Sequence, residues 1–197
     1  MKKMIWLTTL SVLFVVFLVP AILAMTLKMV PAGDQPGYNS DQRLSIYGKR
    51  GVSQEFVSKE KNLTAIGTSI RNLNLKNKKE IILSLYDENN KLIRTSVLNG
   101  QNIQDGDFVK FVFEPIPDSL NKIYSFTIFS PEAGPEETIE VFYINSPTDS
   151  ILEFTYDEKT HPGGLPIVIF HKPQSKWEVV WKVYSNWFSR LLRLTSG

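Results

Sequence analysis

The chain has 197 residues, of which 43% are hydrophobic and 21% charged, and it has no cysteine. That length holds one ordinary domain plus appendages, the composition excludes wholesale disorder, and the lack of thiols excludes disulfides, thiolate metal sites and cysteine nucleophiles. The net charge of +2 is divided: residues 51–160 carry 11 Lys/Arg against 17 Asp/Glu, while 1–50 carry 6 against 2 and 161–197 carry 5 against 1, so the body lacks the basic stripe of a nucleic-acid binder.

Lys2 and Lys3 precede an apolar run from Met4 to Met25, interrupted only by Thr8, Thr9, Ser11 and Pro20. At about 1.5 Å per helical residue the run is roughly 33 Å long, enough to cross a bilayer core. A cleaved signal peptide has a shorter apolar region and a clear small-x-small site; Val19-Pro20-Ala21 and Ile22-Leu23-Ala24 are weak ones. The expectation is a single-pass, uncleaved signal-anchor over 1–30, ahead of a cleaved signal and of a buried soluble helix. The paired lysines place the N-terminus in the cytoplasm and the body outside it, at the cell membrane.

Residues 31–50 read as a linker and a first strand. From about Arg43 onward, runs rich in β-branched and aromatic residues fall at 44–47, 54–57, 63–73, 80–86, 91–98, 108–113, 123–129, 138–144, 151–156 and 165–170. Turn signals separate them, among them Asp87-Glu88-Asn89-Asn90, Asn99-Gly100, Asp105-Gly106-Asp107 and the segment 131–135. Tyr124, Phe126 and Ile128 alternate with Ser125 and Thr127, as in a half-buried strand. Ile81-Ile82 suggests a strand covered on both faces. The expected core contains Ile82, Leu83, Leu85, Phe111, Phe113, Phe126, Ile128 and Val141. No useful helical period occurs between 40 and 170, so 51–173 is a mainly β domain, a sandwich in preference to a βαβ fold, with closed barrels still open.

The succession Gln54-Glu55-Phe56-Val57, Leu63-Thr64-Ala65-Ile66-Gly67-Thr68, Ile82-Leu83-Ser84-Leu85-Tyr86-Asp87, Leu92-Ile93-Arg94, then Asp107-Phe108-Val109-Lys110-Phe111-Val112-Phe113-Glu114-Pro115 and Tyr124-Ser125-Phe126-Thr127-Ile128 resembles a galactose-binding-like jelly roll. It is similar to the carbohydrate-binding-module-like domains of membrane-anchored bacterial envelope proteins, some found beside membrane glycosyltransferases. The resemblance covers roughly 51–145 and rests on core positions. It implies a jelly-roll-type sandwich and a glycan ligand, and in that family turn carboxylates often hold a structural calcium. Asp87, Glu88, Asp105, Asp107, Glu136 and Glu137 are suitable material for one, although solubilising turns is the commoner duty of such residues.

His161 and His171 are ten apart in a Pro/Gly-rich stretch and would need Asp157 or Glu158 as a third metal ligand. Without a ligand spacing they read as partly exposed loop or strand-edge imidazoles, and no metal site is assigned. No nucleophile–base set, phosphate loop or dinucleotide fingerprint is present, so no catalytic residue is named and no enzyme is expected. Sugar platforms favour Trp and Tyr, yet Trp6, Trp177, Trp181 and Trp187 all fall outside the domain. Tyr47, Tyr86, Tyr124, Tyr143 and Tyr156 fall within strands, where packing accounts for them.

The tail 174–197 is the most patterned segment. Trp177, Val180, Trp181, Tyr184, Trp187, Phe188, Leu191 and Leu192 recur every three or four residues, opposite a basic face with Lys176, Lys182, Arg190 and Arg193. Its charges rule out a spanning helix. Trp177, Trp181, Tyr184, Trp187, Phe188, Leu191 and Leu192 are expected at the membrane interface, with packing on the anchor or on the sandwich as alternatives. The reading as a whole is a non-enzymatic, membrane-anchored envelope protein that binds a glycan or a partner protein. The alternative is a structural or accessory subunit of a membrane complex that handles envelope polysaccharide. No cofactor other than that calcium, and no nucleic acid, is implied.

Overall fold

Period-two alternation sorts most of the apolar side chains to one face of each strand, and that decides the layers. The computed structural model describes residues 2–33, 37, 41–145 and 151–195, with the side chains of 2–5, 7, 151, 186 and 190–195 outside that description. The chain forms two compact units, Pro31–His171 and the two ends taken together.

The larger unit has two antiparallel sheets. In the first, β4 (Leu63–Arg71) is paired along its length by β7 (Asp105–Ile116). Two short strands lie end to end on its other edge: β12 (Val168–His171) against Leu63–Gly67, and β9 (Ile139–Phe142) against Ile70 and Arg71. β2 (Arg43–Ile46) extends the sheet beyond β9, and β1 (Val30–Pro31) borders β12. The second sheet runs β11 (Lys159–Thr160), β10 (Ile151–Tyr156), β3 (Val52–Val57), β8 (Ile123–Phe129), β5 (Glu80–Asp87) and β6 (Leu92–Asn99). Each of the ten runs expected from the sequence contains a strand, the last only from Val168 onward, and the mainly β, sandwich-like class holds.

The core between the sheets contains Phe56, Leu63, Ile66, Ile81, Leu83, Leu85, Phe111, Phe126, Ile128 and Val141. Phe56 anchors an aromatic cluster, its ring 6.0 Å from those of Tyr124 and Phe126. Burying each such side chain contributes about 1.5–3 kcal/mol.

Two expectations need correction. Ile81, not Ile82, is the core residue: Ile81, Leu83 and Leu85 are fully buried, and Ile82 lies half-buried on the opposite face. Asp105-Gly106-Asp107 is not a turn between strands but the start of β7. Gly106, at φ +82°, forms a bulge there, and the register steps from Ile70↔Asp107 to Arg71↔Asp105. The Asp107 carboxylate accepts from the Gln104 amide at 2.7 Å and the Asp105 carboxylate from Arg71 at 2.6 Å, so the acidic pair serves the bulge.

The smaller unit contains two helical segments. Residues 2–26 form one apolar helix whose α1 (Lys2–Leu13) and α2 (Val19–Thr26) are joined by a π-helical turn, Phe14–Leu18. Pro20 accounts for the turn: it has no N–H to donate, and its ring crowds the preceding turn, so the ladder widens just ahead of it. The second segment is α3 (Lys176–Thr195). It starts at a Ser-x-x-Glu signature, in which the Ser175 hydroxyl accepts from the Glu178 amide (3.1 Å) and the Glu178 carboxylate from the Gln174 amide (2.8 Å).

Candidate functional site

The outer face of the second sheet carries a cleft of about 290 Å³ at the end where β3 and β10 begin and finish. Ser53, Thr127 and Thr155 give it three hydroxyls, Phe129 an apolar wall, and Lys49, Asp157 and Glu158 its charges. Gly51 forms its floor because nothing larger fits: a Cβ there would lie 2.8 Å from the Ile128 carbonyl oxygen. The carboxylates sit on the two-residue turn between β10 and β11, with Asp157 at φ +52° and Glu158 at φ +63°. Left-handed geometry at both central positions marks the type I′ hairpin turn, which favours Asn and Gly. Asp and Glu hold this conformation at a cost of about 1 kcal/mol or more each.

Arg50 fixes the turn. Its guanidinium donates to Asp157 at 3.0 Å and lies over the rings of Tyr47 (5.4 Å) and Tyr156 (5.7 Å). The hydrogen bond to Asp157 raises the Arg50 pKa above its ordinary value. Burial pushes the Tyr156 phenol up, against the opposing pull of Arg50, and its hydroxyl donates to the Ser45 carbonyl at 3.0 Å. Tyr124 is also raised, first by burial and then by the charges of Asp87, Glu88 and Asp118.

In the helical unit, Val179 and Val180 of α3 pack with Ala24 and Val30, flanked by Ala21, Met25, Val183 and Tyr184. Small residues on the N-terminal helix allow that close approach. The Tyr184 ring stacks on Phe17 at 6.3 Å, Trp187 meets Phe17 edge-on at 6.5 Å, and the Tyr184 hydroxyl donates to the Phe17 carbonyl within the π turn. Trp177, Trp181, Trp187 and Phe188 are exposed, and Tyr184 is half-buried. The side chains of Leu191 and Leu192 lie outside the described residues.

The other sequence candidates scatter. His171 is buried in β12, not partly exposed, because that strand is covered on both faces; His161 stands beside Tyr156 at 6.2 Å. Among the described residues no group of three or more His, Asp or Glu could hold a metal. Asp87 accepts from the amides of Asn89 and Lys91, and Glu137 from that of Gly134, so both carboxylates close their own turns. The sequence does not reveal the cleft because it is assembled from three strands, β3, β8 and β10, and from two connections, at Lys49–Gly51 and at Asp157–Glu158. The acidic pair after Tyr156 was its only local sign.

No family model matches the chain and no curated protein matches it. Among solved structures it is similar to the xylan-binding module CBM15, at 10% identity and TM-score 0.39 over 77% of this chain and 94% of that one. It is similar to carbohydrate-binding module CBM36, solved with calcium and xylotriose, at 10% identity and TM-score 0.31 over 67% and 96%. It is also similar to a family two carbohydrate esterase from Cellvibrio japonicus, at 10% identity and TM-score 0.32, where it covers 68% of this chain and spans 35% of that enzyme. Likeness at this level assigns no role to any residue.

Proposed function

We propose that this protein is a non-enzymatic, membrane-anchored glycan-binding sandwich displayed outside the cytoplasm. The observation that carries the reading is the cleft lined by Ser53, Thr127, Thr155, Asp157 and Glu158. Hydroxyls that both donate and accept, beside carboxylates that accept from paired sugar hydroxyls and an aromatic wall for C–H faces, are what a saccharide needs. Binding is favoured over hydrolysis because the two carboxylates are neighbours on one turn, whereas glycoside hydrolysis needs them on opposite sides of the scissile bond. A glycan-array screen of the full chain tests this: saccharide hits should weaken in a Thr127→Val/Asp157→Asn variant, and an array without hits sinks the reading.

The same proposal takes 1–30 as the anchor, 31–50 as linker and first strand, 51–173 as a jelly-roll-type domain and 174–197 as an interfacial helix. Repeated crossing from sheet to sheet, at every connection from β2 to β12 except β5 to β6 and β10 to β11, supports the jelly roll. The anchor is supported by one helical stretch, Thr8–Thr26, long and apolar enough to cross a membrane. Exposed Trp177 and Trp181 beside Lys176 and Lys182 support the headgroup boundary for α3. Protease added to intact spheroplasts should digest the sandwich; protection until lysis would reverse the topology.

A second reading, an accessory subunit of a membrane complex, is favoured by one observation. An apolar groove of about 970 Å³ runs along the helical unit between Leu10, Phe14, Phe17, Trp181 and Phe188, a shape that suits a partner's membrane helix. Crosslinking from membranes followed by identification of a single stoichiometric partner would support it.

A further inference from the structure

The register of the second sheet aligns one hydroxyl residue from each of five neighbouring strands. Thr155 of β10 stands opposite Ser53 of β3, and Ser53 opposite Thr127 of β8. Thr127 in turn stands opposite Ser84 of β5, and Ser84 opposite Thr95 of β6. Their chain neighbours Phe154, Val52, Phe126, Ile128, Leu83 and Leu85 are in the core, so the five point to the outer face. With strands about 4.8 Å apart, the row crosses four gaps and is roughly 19 Å long. The cleft is its β10 end.

The rows on either side differ in chemistry. On one side Phe129, Ile82 and Val97 align across three strands, with Val97 exposed. On the other, Glu55, Ser125 and Tyr86 align. Elsewhere in the sandwich hydroxyls are used internally: Thr64 donates to Phe113, Ser119 to Glu60 and Ser130 to Glu80. Among the described residues none of the five row hydroxyls is hydrogen-bonded to another residue, and Ser84, only 6% exposed, lies deepest among them.

We infer that the ligand is an unbranched, neutral, extended polysaccharide lying across the strands along this row, held over its length and not by one end in the cleft. The inference rests on the glycan reading above and deepens it. A sugar ribbon presents hydroxyl edges and apolar C–H faces side by side, and a hydroxyl row flanked by an apolar row matches that pairing. Neutrality follows from charge. Residues 51–160 carry 17 Asp/Glu against 11 Lys/Arg, and around the row Glu55, Glu153, Asp157 and Glu158 outnumber Lys49 and the Arg50 that pairs with Asp157, so a polyanion is disfavoured.

The test is calorimetric titration of the full chain in nanodiscs with β-1,4-linked oligosaccharides of glucose, xylose, mannose and N-acetylglucosamine, each from disaccharide to hexasaccharide. In the series that binds, affinity should rise about tenfold or more with length. A Ser84→Ala/Thr95→Val variant, altered only at the far end of the row, should lose that rise and keep the disaccharide affinity. Oligogalacturonides should bind at least about tenfold more weakly than the neutral series. Length-independent affinity, a rise that survives the far-end variant, or equal binding of the anionic series overturns the inference while leaving the glycan reading intact. Absence of binding in all four neutral series overturns the inference, and a glycan array that is also without hits overturns the glycan reading with it.

Discussion

In the sandwich, Phe56, Phe111, Phe126 and Phe154 are at most 1% exposed, whereas in the helical unit Trp177 and Trp181 are 72% and 75% exposed and Leu10, Leu13 and Phe14 about half exposed. Both regions are rich in large apolar residues. The sandwich alternates them with polar ones, so two sheets can close on each other and exclude water unaided. The helical unit buries only a narrow seam around Ala24, Val179 and Val180. Trp177, Trp181, Leu10, Leu13 and Phe14 lie outside that seam and keep their apolar surface exposed, as the membrane anchoring proposed above requires. Hydrophobic composition therefore says little by itself; its periodicity tells which solvent a segment is made for.

The contrast can be broken most severely in the core. Phe126→Ala should cost about 3–5 kcal/mol in denaturant unfolding of the sandwich, whereas Phe14→Ala should leave that transition in place. A Phe126→Ala loss below about 1 kcal/mol would mean that the two regions do not differ as described. Gly51→Ala comes next, at about 1–3 kcal/mol, because the new methyl presses on the Ile128 carbonyl and that strand must shift; saccharide affinity should fall with it. An unchanged midpoint would show the cleft floor to be loose.

Alkaline pH should sharpen the contrast by a smaller amount. Burial raises the phenols of Tyr124, Tyr143 and Tyr156 above the ordinary 10.0, so the unfolded chain releases those protons first. Their stabilising contribution is complete below pH 10 and is lost as pH rises through the higher folded-state values. A pH-unfolding series that stays flat above 10 would show the three phenols to be solvated. The smallest effect belongs to the helical unit. Tyr184→Phe removes the hydroxyl from the Phe17 carbonyl and should weaken helix pairing by about 0.6–1.7 kcal/mol, read as faster amide exchange around the π turn. Unchanged exchange would show that this hydroxyl does not hold the two helices together.

Much of the fold was legible in the chain. Alternation in Tyr124–Ile128 set the inward face of β8, and the spacing from Trp177 to Phe188 set the helix. Ile81 and Ile82 were confused because two adjacent isoleucines carry no phase; cross-strand register, through Ile81↔Leu98 and Leu83↔Ile128, supplies it. Gly106 read as a turn because glycine marks turns and bulges alike. The candidate site was scarcely legible at all. Ser53, Ser84, Thr95, Thr127 and Thr155 are unremarkable singly, and only pairing partners tens of residues apart bring them into one row.

The hydroxyl that reaches the Phe17 carbonyl comes from a residue 167 positions later. A ribosome adding about 5–20 residues per second needs roughly 10–30 s to cover that distance. For that interval the Phe17 carbonyl has no Tyr184 hydroxyl to accept from, and any chain released before Tyr184 never acquires one. This contact of the N-terminal helix is thus made only after the whole sandwich has been synthesised.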